Sequence, residues 1–263
     1  MPNWVRNKVK FKSRGREIID KIIKVDNDKE ELFSEDVLFD FNKIIPRPKT
    51  LDITSGGNDK YAMQYALLKM SIPKLKETIE KLKATSTSFY GNYFVKIYNH
   101  KKYTLEELEK VAKEFKEQLE SGKQDPFDEV NYKELGINSL EDLGNVYINN
   151  ILQYGADSWY DWCCENWGTK WNANNTYVVD DTEIEFDTAW SCPVNIFKEL
   201  SRQFSGVEIV VEFADEDIGS NCGKITFLNG EIEEYIDMDG DTDFALDIWG
   251  YDKEEYYQEL NEE

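Results

Sequence analysis

Glu183-Ile-Glu-Phe-Asp-Thr-Ala-Trp190 alternates polar and apolar residues over a full strand length, and Val207-Glu-Ile-Val-Val-Glu-Phe213 supplies a second apolar run further on. Alternation with a period of two marks a strand that buries one face. Between the two, Pro193 opens a stretch with Val194, Phe197, Leu200 and Phe204 at helical spacing, and proline at a helix start needs no backbone donor. Residues 223–228 read as a third strand, Asn229-Gly230 as a type I′ hairpin turn and 231–236 as a fourth strand. Residues 176–180 add another strand ahead of them.

Working outward, residues 3–12 alternate through Val5, Val9 and Phe11, with Asn7 breaking the run, and predict a strand. Ile18, Ile19, Ile22 and Ile23 follow at helical spacing over 14–25. Residues 37–45 read as a second extended segment, stopped by Pro46-Arg-Pro48. Helices are expected over 59–70 and from Ser71 to about 84. A third, over 104–121, opens on a Thr104/Glu107 capping box and aligns Leu105, Leu108, Val111, Ala112, Phe115 and Leu119 on one face. Residues 88–98 fit a strand or a loop, and 122–138, with Gly122 and Pro126, a loop. Residues 139–167 fit two abutting helices around Gly155, the first capped by Ser139. Strand–helix, a helical middle, then strand–strand–helix–strands predicts an α+β fold. The expectation is a ferredoxin-like antiparallel sheet with helices on one face, its core built from 1–50 and 140–250. Residues 51–139 form a helical, lysine-rich insertion, and 251–263 an acidic end.

Asp and Glu number 53 against 31 Lys and Arg, a net charge of −22 over 263 residues. Such a surface repels nucleic-acid phosphates and anionic lipid except through a local basic patch, so direct nucleic-acid binding, through the lysine-rich middle, ranks last among the expectations. No apolar stretch reaches the ~20 residues of a membrane span, and Met1-Pro-Asn-Trp-Val-Arg-Asn-Lys8 lacks a secretion signal's apolar region. A cytoplasmic protein with reduced Cys163, Cys164, Cys192 and Cys222 is expected. His100, the only histidine, sits in a polar Tyr98-Asn-His-Lys-Lys102 turn, which disfavours mechanisms that need an imidazole base. No cofactor is implied.

Met1-Pro-Asn-Trp4, Phe39-Asp-Phe-Asn-Lys-Ile-Ile-Pro46, Trp159-Tyr-Asp-Trp-Cys-Cys-Glu-Asn-Trp-Gly-Thr-Lys-Trp-Asn-Ala173 and Phe186-Asp-Thr-Ala-Trp-Ser-Cys-Pro193 form a long motif set. In it the chain resembles the YubB-type ferredoxin-like proteins of phages and plasmids, a family without an established activity. Val5 stands where relatives often carry Cys, and Cys192 where many carry a second proline or another small residue. Residues 55–140 match nothing in that family. The resemblance implies a mobile-element origin in a bacterial host, a context in which accessory proteins often counter host defence.

Two sets of residues carry functional expectations. The first is aromatic: Trp159, Asp161, Trp162, Glu165, Trp167 and Trp171, with Asp187 on the neighbouring strand. Tryptophans at helical spacing fit a core that fastens a helix to the sheet. They also fit a tryptophan-lined ligand pocket capped by carboxylates, or an enzyme using those carboxylates for acid–base or metal chemistry. A platform for single-stranded nucleic acid is weaker, since few basic residues flank them.

The second set is acidic. Residues 207–263 hold 19 Asp and Glu against two Lys, a net of −17, densest from Glu231 to Asp247. Glu231, Glu233, Glu234, Asp237, Asp239, Asp241, Asp243 and Asp247 fit a solvated edge, or a phosphate-mimicking surface for a basic groove. Asp237, Asp239, Asp241 and Asp243 alternate as in a calcium loop, but Gly240 comes too early and Ile248 stands where the bidentate Glu belongs. Residues 69–116 carry eleven Lys against six Glu, so the molecule is dipolar and head-to-tail self-association is open. The expectation is a non-enzymatic accessory protein that blocks a host defence complex with a basic groove, such as a CRISPR effector or restriction nuclease.

Overall fold

The computed structural model describes residues 3–26, 36–57, 59–85, 103–121 and 132–262. The expectations for 88–98, His100, Gly122 and Pro126 lie outside them. The chain divides into two compact units, 1–46 with 163–263 and 47–162.

The first unit is a six-stranded, wholly antiparallel sheet. Its strands are β1 (Trp4–Phe11), β4 (Asn174–Asp180), β5 (Glu183–Ala189), β6 (Ile209–Asp215), β7 (Gly223–Leu228) and β8 (Glu231–Asp237), in the order β4-β5-β1-β6-β7-β8. Helix α1 (Gly15–Ile22) follows β1 and α7 (Val194–Gln203) joins β5 to β6. Stripped to β1-α1-β4-β5-α7-β6, this is the ferredoxin-like βαββαβ unit, with the hairpin β7–β8 extending the sheet beyond β6. Asn229 and Gly230 both have positive φ, 54° and 91°, as the type I′ turn requires.

Register explains the alternation. Val5, Asn7, Val9 and Phe11 of β1 align with Phe186 and Ile184 on one side and with Phe213, Val211 and Ile209 on the other. This face packs with Ile18, Ile22, Phe197 and Leu200, all buried, and Phe39, Phe41, Phe186, Phe197 and Phe227 join it in a chain of ring contacts 5.0–6.2 Å apart. Asn7 interrupts the apolar run because it holds the strands together: its Nδ2 donates to Val5 O (2.9 Å) and Thr188 Oγ1 (2.9 Å).

The opposite face carries cross-strand charge pairs: Arg6–Asp187 (3.0 Å), Lys8–Glu185 (3.5 Å), Lys10–Glu183 (3.4 Å) and Lys224–Glu212 (2.8 Å). Part of it is covered by α8 (Thr242–Trp249), which buries Ala245 and Ile248 with Ala214 and Cys222. The acidic reading of 231–247 passed over this helix. A final helix, α9 (Lys253–Glu262), takes up the acidic end.

Two readings of the first 50 residues change. The helix stops at Ile22 and the chain turns into β2 (Ile23–Asp26), which pairs with β3 (Asp36–Phe39). The extended segment expected over 37–45 ends at Phe39. Asp40 then accepts a hydrogen bond from Asn42 N (3.0 Å) and winds Phe41–Lys43 into a 3₁₀ turn.

The second unit is helical: α2 (Asp59–Lys69), α3 (Ile72–Ala84), α4 (Leu105–Ser121), α5 (Leu140–Tyr154) and the start of α6 (Trp159–Asn166), which spans the division. Met63, Ala66, Leu67, Leu82, Phe115, Leu143, Tyr147 and Ile151 form its core. Gly144 lets α5 lie directly on α2: a Cβ there would sit 2.0 Å from Ala62 O. Ser139 caps α5, accepting from Asp142 N (3.1 Å), and Thr104 and Glu107 form their capping box. Leu105, expected on the apolar face of α4, is 52% exposed, because it opens the first turn before the core begins. Lys81, Lys83, Lys110, Lys113 and Lys116 each pair with a Glu on their own helix, the ordinary surface of a charged helix.

No helix among the described residues is long and apolar enough to cross a membrane.

Candidate functional site

The sequence motifs fold onto one another. Trp167 is buried; its indole N–H donates to Ile45 O (2.9 Å) and its ring meets Phe41 edge-on at 5.6 Å. Asn172 accepts from Phe41 N (2.9 Å) and donates to Asp40 Oδ1 (2.9 Å). Thr169 Oγ1 donates to Ala189 O (2.7 Å), and Ser191 Oγ donates to Gly168 O. Residues 39–46, 167–173 and 186–193 are thus one bolted assembly, which accounts for their length and polarity without any ligand.

The aromatic candidates separate accordingly. Trp162 and Trp167 are core. Trp159 is half-buried and meets Tyr160 edge-on (5.7 Å), and Glu165 is exposed. Asp187, buried in the sheet, takes Arg6 Nε on Oδ1 (3.0 Å) and Asn175 Nδ2 on Oδ2 (2.9 Å), so both of its oxygens are engaged. Asp161 Oδ2 is buried without a hydrogen-bond partner. It belongs to a carboxylate group of the second unit with Asp59 and Asp157. Burial pushes Asp157 up to about 6, against the hydrogen bond from Ser158 Oγ (2.7 Å), and the charges of Asp59 and Asp161 add to the rise. Burial raises Asp59 too. Asp157 and Asp161 are four residues apart, but sequence spacing gave no sign of Asp59, which lies about 100 residues away. Trp171 is half-buried, lies 5.9 Å from Trp4 and carries the Lys170 ammonium over its ring at 4.2 Å.

The acidic candidates also separate. All seven residues of β8 are exposed, and β8 is the outer strand of the sheet. Pairing with Thr226 puts Glu234 on the charged face with Ile236, whereas Tyr235 and Asp237 share the helix-side face. A register shift at Glu233 divides Glu231 from them. Among the described residues Glu231, Glu233 and Glu234 have no ion pair.

From Asp237 onward the aspartates serve the fold. Asp237 Oδ1 accepts from Asp239 N (3.0 Å), Asp239 Oδ1 accepts from Cys222 N (2.9 Å), and Asp241 caps α8 by accepting from Phe244 N (3.0 Å). Asp243 accepts from Tyr257 Oη (2.9 Å) and Asp247 pairs with Lys253 (2.8 Å). The calcium-loop reading fails on this geometry, because three of its four ligands are spent on backbone amides and the fourth on Tyr257. Among the described residues no group of three or more His, Cys, Asp or Glu is placed to hold a metal ion. An open depression lined by Lys253, Glu254, Tyr257 and Gln258 lies on α9.

The strand order and the paired helices are those of a ferredoxin-like fold. Residues 166–260 match the family described as the ferredoxin-like domain in Api92-like protein. No curated protein matches the chain. A solved structure, protein api92 from Yersinia pseudotuberculosis, aligns over 89% of this chain and 97% of its own at 11% identity and a TM-score of 0.37, too distant for anything to be transferred from it.

Proposed function

We propose that this protein is a binding protein rather than an enzyme, and that it engages a strongly basic protein surface through the acidic outer strand β8. The supporting observation is an exposed edge strand carrying Glu231, Glu233 and Glu234, with Asp237 at its end, on a fold where Asp239, Asp241, Asp243 and Asp247 are occupied. Edge strands are normally short, shielded or interrupted, because their free N–H and C=O groups recruit other strands. Here Ile232, Tyr235 and Ile236, 39–54% exposed, stand among the carboxylates. An extended basic segment gains backbone pairing from β8, apolar contact from these three and charge complementarity from the acids. The carboxylates would then stand in for nucleic-acid phosphates, and association would be fast and salt-sensitive.

The resemblance of the motif set to phage and plasmid proteins points to the class of partner: a nucleic-acid-handling defence complex of a bacterial host, a CRISPR effector or a restriction nuclease. What supports a non-catalytic role is that Asp187, the best-placed carboxylate of the aromatic block, is committed to Arg6 and Asn175.

The test is cleavage inhibition. Purified CRISPR effectors and restriction nucleases are assayed with the wild-type protein and with a Glu231→Gln, Glu233→Gln, Glu234→Gln, Asp237→Asn variant. Inhibition of at least one nuclease, lost in the variant and weakened by salt, is expected. Equal inhibition by both proteins, or inhibition of none, rejects the reading.

A further inference from the structure

Trp190 adopts φ 72°, in the left-handed region that bulky L residues avoid because Cβ crowds the following carbonyl. The conformation is held from both sides. Trp190 N donates to Asn3 O (2.9 Å), and Trp190 O accepts from Asn221 Nδ2 (3.0 Å). The fold spends this strain on an indole that is 42% exposed and so adds little to the core. The same indole faces the Lys170 ammonium at 5.0 Å, while Trp171 faces it at 4.2 Å. Trp4 backs Trp171 at 5.9 Å. One lysine therefore lies over two ring faces, the arrangement by which aromatic cages take up ammonium and guanidinium groups.

We propose that Trp171 and Trp190 form a cation-binding cage, kept filled by Lys170, that accepts a lysine or arginine side chain of a basic partner polypeptide in its place. Lys170 carries its ammonium on a flexible four-carbon stem, so an incoming cation competes with it for the same two rings. The choice of a basic polypeptide follows from charge: the 57 residues from 207 onward carry a net of −17, a field that concentrates cationic chains at this domain. The cage is distinct from β8, and the inference stands whether or not β8 binds anything.

The experiment uses the full chain and a deca-lysine peptide. Affinity is measured by calorimetry, and the indole N–H resonances of Trp171 and Trp190, assigned through Trp→Phe variants, are followed by NMR. Both resonances are expected to shift on titration, and Trp190→Phe to weaken binding about two- to fivefold. Lys170→Gln is expected to tighten binding by a similar factor, since it removes the tethered competitor. Lys12→Gln removes the same charge at an exposed strand end and is expected to tighten binding less. Unmoved indole resonances during peptide binding overturn the proposal. So does a Lys170→Gln variant that binds no more tightly than Lys12→Gln. Resonances that shift with protein concentration alone identify a second copy as the occupant and overturn it too. In the β8 quadruple variant the indole shifts are expected to persist, which separates failure of the cage from failure of the strand.

Discussion

Asp187 grips Arg6 with both carboxylate oxygens, Nε–Oδ1 at 3.0 Å and Nη2–Oδ2 at 3.3 Å, beneath the ring of Trp249, whose centroid lies 4.4 Å from the guanidinium carbon. The pair ties β5 to β1, and the cation–π contact ties both to α8. Asp187 is nearly buried and Arg6 is a quarter exposed. Asp187→Ala leaves the guanidinium without its carboxylate in a half-dry setting and is expected to cost about 1–3 kcal/mol. Asp187→Asn, which keeps one acceptor, is expected to cost less. Urea denaturation of the two variants checks the order.

Asp157 predicts a pH dependence. Its folded-state value of about 6 lies above the ordinary 3.8, with burial the largest cause. The folded protein therefore holds the proton more tightly than the unfolded chain does. That contribution is fully present below pH 3.8 and is lost as pH rises through about 6. Asp157→Asn is expected to raise stability above pH 7 by on the order of 2 kcal/mol and to flatten the profile between pH 4 and 7. Thermal melts across that range show whether it does.

Gly144 predicts a steric failure. Alanine there would drive a methyl group into the backbone of α2 at Ala62. The helices must separate, at a cost of about 2–4 kcal/mol. The loss should appear as early amide exchange across α2 and α5, with the strands of the sheet unaffected.

The acidic run divides into structural and available charges, and mutation should divide it likewise. Asp241→Ala removes the cap of α8 and is expected to cost about 1 kcal/mol. Glu231→Gln, Glu233→Gln and Glu234→Gln lose no described partner and relieve mutual repulsion. They are expected to leave the melting temperature unchanged or slightly raised.

Much of the architecture was legible because its signals are local. Ser139, the Thr104/Glu107 box, Asn229-Gly230 and the alternation of 183–190 each specify their element within a few residues. The elements that escaped depend on distant partners. β2 and β3 are four residues each and rest on each other, and Phe41–Lys43 winds because Asp40 and Asn172 meet across 132 positions. Helix α8 hid because its cap and first-turn aspartates look the same as solvated charge in a one-dimensional reading. Among candidate residues, the core role of Trp162 and Trp167 followed from helical spacing. The cage did not, since it needs the sheet to bring Trp4, Trp171 and Trp190 together.

The central strand of the sheet arrives first and is completed last. Val9 pairs with Ile184 on one side and Val211 on the other, so a ribosome must emit some 200 residues before β1 has both neighbours. Closing contacts across such a span is slow, whereas the helical unit 47–162 has all its core elements once α5 emerges to pack on α2. During synthesis the amino-terminal strand waits with Val5, Val9 and Phe11 uncovered. A chain halted before β6 leaves one edge of β1 without its partner, so the first strand depends on residues some 200 positions further on.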